Sequence, residues 1–161
     1  MMVHFKSVHE PFYGPGRYRW MYKGVNLPGP KDLLWPESTK NKVFQGWPLE
    51  ILMGRFLNNA PRYSPPPLEL DTDDPRDKRR ATYQKFIKDY LRAVAGLDDN
   101  IGRLMTYLEE TNQAEKTVVI YTSDQGYFLG EHNMFDKRFM LEESLRMPFI
   151  IRYPKEIKPG T

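Results

Sequence analysis

The chain has 161 residues, a net charge of +3, 28% charged side chains and no cysteine, with a mean hydropathy of -0.67. Disulfide and thiolate chemistry are thereby excluded, and no apolar run approaches the roughly 18 residues of a membrane span. The length allows one domain with its own core or part of a larger one.

At the N-terminus, MMVHFKSVHEPF carries no basic stretch leading into a long apolar one, so no signal-peptide pattern is present. Met2-Val3-His4-Phe5 reads as a strand. Lys6-Ser7-Val8-His9-Glu10-Pro11-Phe12 follows at its carboxyl end. Eleven of the 14 prolines precede residue 76, which predicts extended turns and short helices punctuated at Pro28-Gly29-Pro30 and Pro65-Pro66-Pro67. The aromatics Tyr13, Tyr18, Trp20, Tyr22, Trp35, Phe44 and Trp47 argue for an ordered excursion, because disordered segments are aromatic-poor.

From Asp74-Pro75 the pattern becomes helical. Asp74 suits an N-cap and Pro75 a first helical position. Apolar residues recur at Tyr83, Ile87, Leu91, Val94, Leu97, Ile101, Leu104 and Leu108, with charged residues expected on the other face. Gly96 and Gly102 are places for a kink, and Thr111-Asn112 supplies an end signal. Lys78-Arg79-Arg80, the densest basic cluster, reads as a solvated helix face rather than a nucleic-acid patch. Asp98-Asp99-Asn100 looks like a metal motif but falls on this helix, as a feature of its face.

Thr117–122 follows as a strand whose continuous apolar centre suggests cover on both faces. Pro148-Phe149-Ile150-Ile151-Arg152-Tyr153 is a further strand. Strands with one long crossover helix make the class α/β, with a mixed or parallel sheet. Three strands are few for a complete doubly wound sheet, so the domain is expected to be incomplete.

The chemistry-bearing residues cluster after the first of these two strands, in TSDQGYFLGEHNMFDKR. Asp124 and Gln125 offer a carboxylate and an amide carbonyl, acceptable ligands for calcium, beside Gly126, which allows a sharp turn. An ordinary strand-ending turn would look the same. His132 in Gly130-Glu131-His132 reads equally as a loop histidine, and Asp136 and Arg138 as solvated charges. His9 could donate a proton to a leaving oxygen or bond an anion, or be structural. If Met2–Phe5 and Thr117–Thr122 are parallel neighbours, His9 and Asp124 open onto one crevice.

Taken together, TSDQGYFLGEHNMFDKRFMLEESLRMPFIIRYP closely resembles the C-terminal part of the catalytic domain of type I, formylglycine-dependent sulfatases, in the alkaline-phosphatase superfamily. HFKSVHEPF, the region of RYRWMYKGVNLP, and YLRAVAGLDDNIGRLMTYLEETNQAEKTVVIYTSDQG resemble the preceding segments in the same order, so the resemblance covers nearly the whole chain. It implies a partial alkaline-phosphatase-like fold and a sulfuric ester hydrolase acting on a sulfated small molecule or glycan, exported to the periplasm or outside the cell, with no nucleic-acid partner. By the same resemblance Asp124 and Gln125 match calcium ligands, Lys137 the lysine on the sulfate group, and His9 the histidine on its leaving-group side. Lys6 matches an often basic substrate-side position, and His132 a supporting one.

The resemblance also defines what residues 1–161 are expected to lack. The family's C-x-P-S-R or S-x-P-x-R block supplies the residue oxidised to formylglycine. Here there is no cysteine, and Ser64-Pro65-Pro66 does not fit the serine version. The first pair of acidic metal ligands and the C-terminal subdomain beyond RYP are likewise expected outside it. Half a calcium site and no nucleophile imply an inactive fragment of a sulfatase. A phosphonate or phosphate-ester hydrolase of the same superfamily, or a non-catalytic binding fragment, are the alternatives.

Overall fold

The helix predicted from Asp74-Pro75 runs from Pro75 to Glu110 (α2) in the computed structural model, which describes residues 1–34 and 47–160. Asp74 caps it, its carboxylate accepting the Arg76 N–H at 2.7 Å. At the other end Asn112 takes φ +55°, and the Gln113 N–H bonds the Leu108 carbonyl at 2.8 Å. Neither glycine interrupts it. At Gly96 a Cβ would lie 2.4 Å from Pro15 Cδ, so the missing side chain lets the N-terminal segment lie against the helix.

The buried face differs from the expected one. Thr82, Tyr83, Lys85, Phe86, Ile87, Asp89, Arg92, Ala93, Gly96 and Leu97 are buried, while Leu91, Ile101 and Leu104 are half-buried and Val94 is exposed. Charged side chains sit inside because Asp89 pairs with both cations and backbone carbonyls accept their further hydrogen bonds. Asp89 accepts from Lys85 and, at 2.9 Å, from Arg92. Lys85 also donates to the Ser64 carbonyl. Arg92 reaches the Met21 carbonyl through Nη2 at 2.9 Å and Nε at 3.2 Å. Burial pushes the Asp89 carboxyl above its usual range and the Lys85 ammonium below its own, with each partner opposing the shift of the other. Lys78-Arg79-Arg80 is likewise more engaged than a solvated face. Arg79 is largely buried against Glu50 at 2.5 Å, Arg80 pairs with Asp77 at 2.8 Å and Lys78 with Asp73 at 3.1 Å.

The chain divides into two compact units, Met1–Leu97 with Phe128–Asp136, and Asp98–Tyr127 with Lys137–Thr161. In the first, α1 (Leu49–Asn58) and the N-terminal part of α2 enclose an aromatic core. Phe12 lies 5.3 Å from Phe86 and Phe56 lies 4.9 Å from Tyr63, centroid to centroid. Each fully buried ring or leucine contributes about 1.5–3 kcal/mol. A short hairpin, β2 (Phe128–Leu129) and β3 (Phe135–Asp136), pairs Phe128 with Asp136 and Leu129 with Phe135. Glu50 joins α1 to this hairpin's turn by accepting from Asn133 at 3.0 Å. Trp35 and Phe44 of the aromatic excursion fall outside the described residues.

The second unit holds β1 (Val119–Thr122), α3 (Glu142–Leu145) and β4 (Phe149–Arg152). β1 and β4 pair antiparallel, Val119 opposite Arg152 and Thr122 opposite Phe149. The class is α/β as read. The expected parallel neighbour of β1 is not there, since Met2–Phe5 forms no strand among the described residues. A four-residue run is a strand only with a partner for its ladder, and β1 takes β4. Nor is the expected cover on both faces found among the described residues, where Ile120, Phe149, Ile150 and Ile151 are exposed. No described helix is long and apolar enough to cross a membrane.

Candidate functional site

β1 ends at Thr122, and Asp124 stands exposed in the bend that follows. Ser123 shapes this bend. Its hydroxyl donates to the Gln125 carbonyl and accepts the Gln125 N–H at 3.3 Å. The next residue has to be glycine. A Cβ on Gly126 would stand 2.1 Å from the Glu143 carbonyl oxygen, and its N–H donates to the Ser144 carbonyl at 2.7 Å. The turn bearing Asp124 and Gln125 is thus fastened to α3, all within the second unit. Lys137, half-buried in the same unit, holds its ammonium 5.5 Å from the centre of the Tyr127 ring.

His9 and Lys6 belong to the first unit, in a turn closed by the His9 N–H bonding the Lys6 carbonyl at 3.0 Å. Both side chains are exposed. His9 Nδ1 lies 2.8 Å from the Glu10 carbonyl oxygen. A carbonyl only accepts, so this bond puts a proton on Nδ1 and leaves Nε2 of the exposed ring as an acceptor in the neutral imidazole. Two anchors hold the turn. Phe12, with φ +61°, is sealed in the core. The Glu10 carboxylate accepts from Arg55 at 2.5 Å and from the Tyr63 hydroxyl. Arg55 in turn lies over the Trp47 and Phe135 rings at 5.1 and 5.4 Å. Burial first, and then the bond to Glu10, push the Tyr63 phenol well above its ordinary range.

His132 is bound more tightly than a supporting loop residue needs to be. Its Nδ1 lies 2.8 Å from Asp32, and its backbone N–H donates to the same carboxylate oxygen at 2.9 Å. Asp32 escaped the sequence reading, because an aspartate in a proline-bounded turn carries no signal until its partner, a hundred residues on, is known. Asp136, expected as a solvated charge, is buried at φ +82°.

The structure therefore gathers Asp124, Gln125 and Lys137 in one unit and Lys6, His9 and His132 in the other. Asp124 and Gln125 offer two of the six to eight oxygen donors that calcium takes, so their chemistry fits a hard cation with a partial shell. Among the described residues no group of three or more His, Cys, Asp or Glu gathers to hold a metal. Two shallow cavities, about 260 and 120 Å³, lie along α2 in the first unit, and none of the six residues lines either.

Three relatives put these residues in context. N-acetylglucosamine-6-O-sulfatase of Bacteroides thetaiotaomicron is 60% identical over 79 residues, covering 49% of this chain and 14% of that protein. A protein solved in complex with its substrate D-glucosamine-2-N,6-O-disulfate superposes with a TM-score of 0.75 at 29% identity, over 96% of this chain and 38% of its own. Phosphonate monoester hydrolase from Silicibacter pomeroyi superposes with a TM-score of 0.65 at 27% identity, over 95% and 28%. The chain thus spans well under half the length of each. The sulfatase family profile matches residues 1–161, and the chain belongs to the sulfatase family.

Proposed function

We propose that this chain is part of an enzyme that hydrolyses sulfate monoesters on a carbohydrate, with sulfated glucosamine as the favoured substrate class. The observation that carries the reading is the Asp124-Gln125-Gly126 turn, fastened at the end of β1 with Lys137 in the same unit, in a chain matched throughout by the sulfatase profile. The substrate class is supported by the 60% identity to a glucosamine sulfatase and by the sulfated glucosamine bound to the solved relative.

Asp124 and Gln125 would hold calcium, which when bound supplies Lewis-acid polarisation of sulfate oxygens. Lys137 offsets negative charge on the sulfuryl group as it transfers. His9, with Nδ1 fixed by the Glu10 carbonyl, presents Nε2 to the ester oxygen. In the imidazolium form it gives that oxygen a proton as the alcohol leaves. Lys6 and His132 would contact substrate, His132 from the position set by Asp32. The nucleophile and the remaining calcium ligands would come from sequence outside residues 1–161, and the whole enzyme would be exported.

The purified 161-residue chain is accordingly expected to show no turnover of an aryl sulfate with calcium present, and metal-dependent turnover would overturn this. In a longer enzyme containing the chain, Lys137→Ala should lower kcat by about 10²–10³-fold with a smaller effect on KM. Asp124→Ala should also weaken calcium binding. The superposition on a phosphonate monoester hydrolase supports a second reading, phosphonate or phosphate-ester hydrolysis. Higher kcat/KM on a phosphonate monoester than on sulfated glucosamine would decide for it.

A further inference from the structure

We propose that the segment from Arg17 to Lys23 is a binding platform for a sulfated oligosaccharide, with Trp20 stacking on a sugar ring while Arg17, Arg19 and Lys23 hold sulfate groups. The choice of a sulfated sugar among polyanions rests on the sulfatase reading above. The platform itself rests on three observations.

First, charge is segregated. Residues 11–31 contain Arg17, Arg19, Lys23 and Lys31 and no Asp or Glu, in a chain with 24 basic and 21 acidic side chains. Second, the aromatic surface lies out among these cations. Trp20 is 62% exposed, with the Lys23 ammonium 4.8 Å and the Arg19 guanidinium 5.6 Å from its ring centre. Arg17 stands 5.1 Å from the Tyr18 ring. An indole and several cations on one short segment match the two components of a sulfated glycan, an apolar sugar face and anionic oxygens.

Third, the segment is rigidly mounted. Successive turns bond Tyr18 to Pro15, Arg19 to Gly16, Met21 to Tyr18 and Lys23 to Trp20 through the backbone. The Met21 carbonyl, between Trp20 and Tyr22, accepts both bonds from Arg92. Arg92 is held by Asp89, which also accepts from Lys85. Pro15 lies against Gly96, and at Gly14 a Cβ would come within 2.8 Å of the Arg92 backbone. The buried charge network on α2 thus anchors the aromatic segment. A surface ordered before binding loses less entropy when a ligand arrives.

The test uses the 161-residue chain at micromolar concentration and low salt, with fluorescence anisotropy of a labelled heparin hexasaccharide. The same hexasaccharide after chemical desulfation and an oligothymidylate of matched charge serve as competitors. The expected result is binding of the sulfated sugar that weakens as salt rises. Trp20→Ala should weaken it about tenfold, and Arg19→Ala or Lys23→Ala about three- to tenfold each. These side chains are exposed, so circular dichroism should be unchanged. No binding, equal competition by the desulfated sugar or by oligothymidylate, or indifference to Trp20→Ala would each overturn the platform. Loss of binding in Lys137→Ala would assign the sugar to the sulfate residues instead, and overturn it too. Failure of the sulfatase reading is detected separately, by aryl sulfate turnover of a longer enzyme.

Discussion

Phe12, Phe56, Phe86, Phe128 and Phe135 of the first unit are sealed to 1% exposure or less, whereas Ile120, Phe149 and Ile150 of the second remain 54–66% exposed. The two units contain similar side chains and differ in what surrounds them. In the first, helices, hairpin and N-terminal segment supply cover, and even Lys85, Asp89 and Arg92 are taken inside as a hydrogen-bonded set centred on Asp89. In the second, a two-stranded sheet leaves Ile120, Phe149, Ile150 and Ile151 exposed while Val119 and Tyr121 are half-buried, and an isolated pair of strands is marginal in water. Apolar sequence alone thus does not make a core, which requires enough elements to close over it.

The widest separation should come from truncation in the sealed unit. Phe12→Ala is expected to cost about 3–5 kcal/mol, whereas Val118→Ala at an exposed position should stay within about 0.5 kcal/mol. Urea unfolding followed by tyrosine and tryptophan fluorescence measures both. Equal costs would break the comparison. Asp89→Asn should approach the same size, about 3–5 kcal/mol, because it leaves Lys85 and Arg92 buried without their counter-charge. Replacing all three by apolar residues of similar volume should cost less than Asp89→Asn alone. A mild Asp89→Asn would mean that water reaches the network.

The contrast also marks how far the sequence could be read. The ends of α2 were legible because capping is local, with Asp74 and Asn112 declaring themselves within a turn. Its buried face was not, because periodicity counts apolar residues and this face hides Lys85, Asp89 and Arg92, whose partners lie on Ser64 and Met21 far away in sequence. The strand at Val119–Thr122 was legible from its apolar run. Its partner was not, since pairing depends on which other strand is available, and Met2–Phe5 made an equally good candidate. For the site, Asp124, Gln125 and Lys137 stood out through a family resemblance over a contiguous string. Glu10, Arg55, Tyr63 and Asp32, which fix His9 and His132 in place, are spread across the chain and become visible only once it is folded.

A smaller effect is expected from pH, and it belongs to the sealed unit. Tyr63 has a folded-state pKa raised above the ordinary 10 by burial and by Glu10. As pH rises the unfolded chain loses this proton first, so the contribution is complete below about pH 10 and is lost above it, toward the folded pKa. Tyr63→Phe should cost about 1 kcal/mol at pH 7 through the missing bond to Glu10. It should also flatten the decline in urea midpoints above about pH 10. An unchanged alkaline slope would show that Tyr63 is not protected from titration.

The smallest change in stability should come from β4. Ile150 stands opposite Tyr121 in the β1–β4 ladder and is 61% exposed. Ile150→Thr keeps the β-branched shape that suits a strand while removing exposed apolar surface. Stability should move by less than about 0.5 kcal/mol. Binding of an apolar-surface dye to the native chain should fall, because Ile150 is exposed apolar surface of the kind such dyes and self-association exploit. Light scattering at increasing concentration should fall with it. A loss of more than 2 kcal/mol with dye binding unchanged would mean that Ile150 is covered in solution. A second copy of the chain is one available cover, and the apparent stability would then rise with protein concentration.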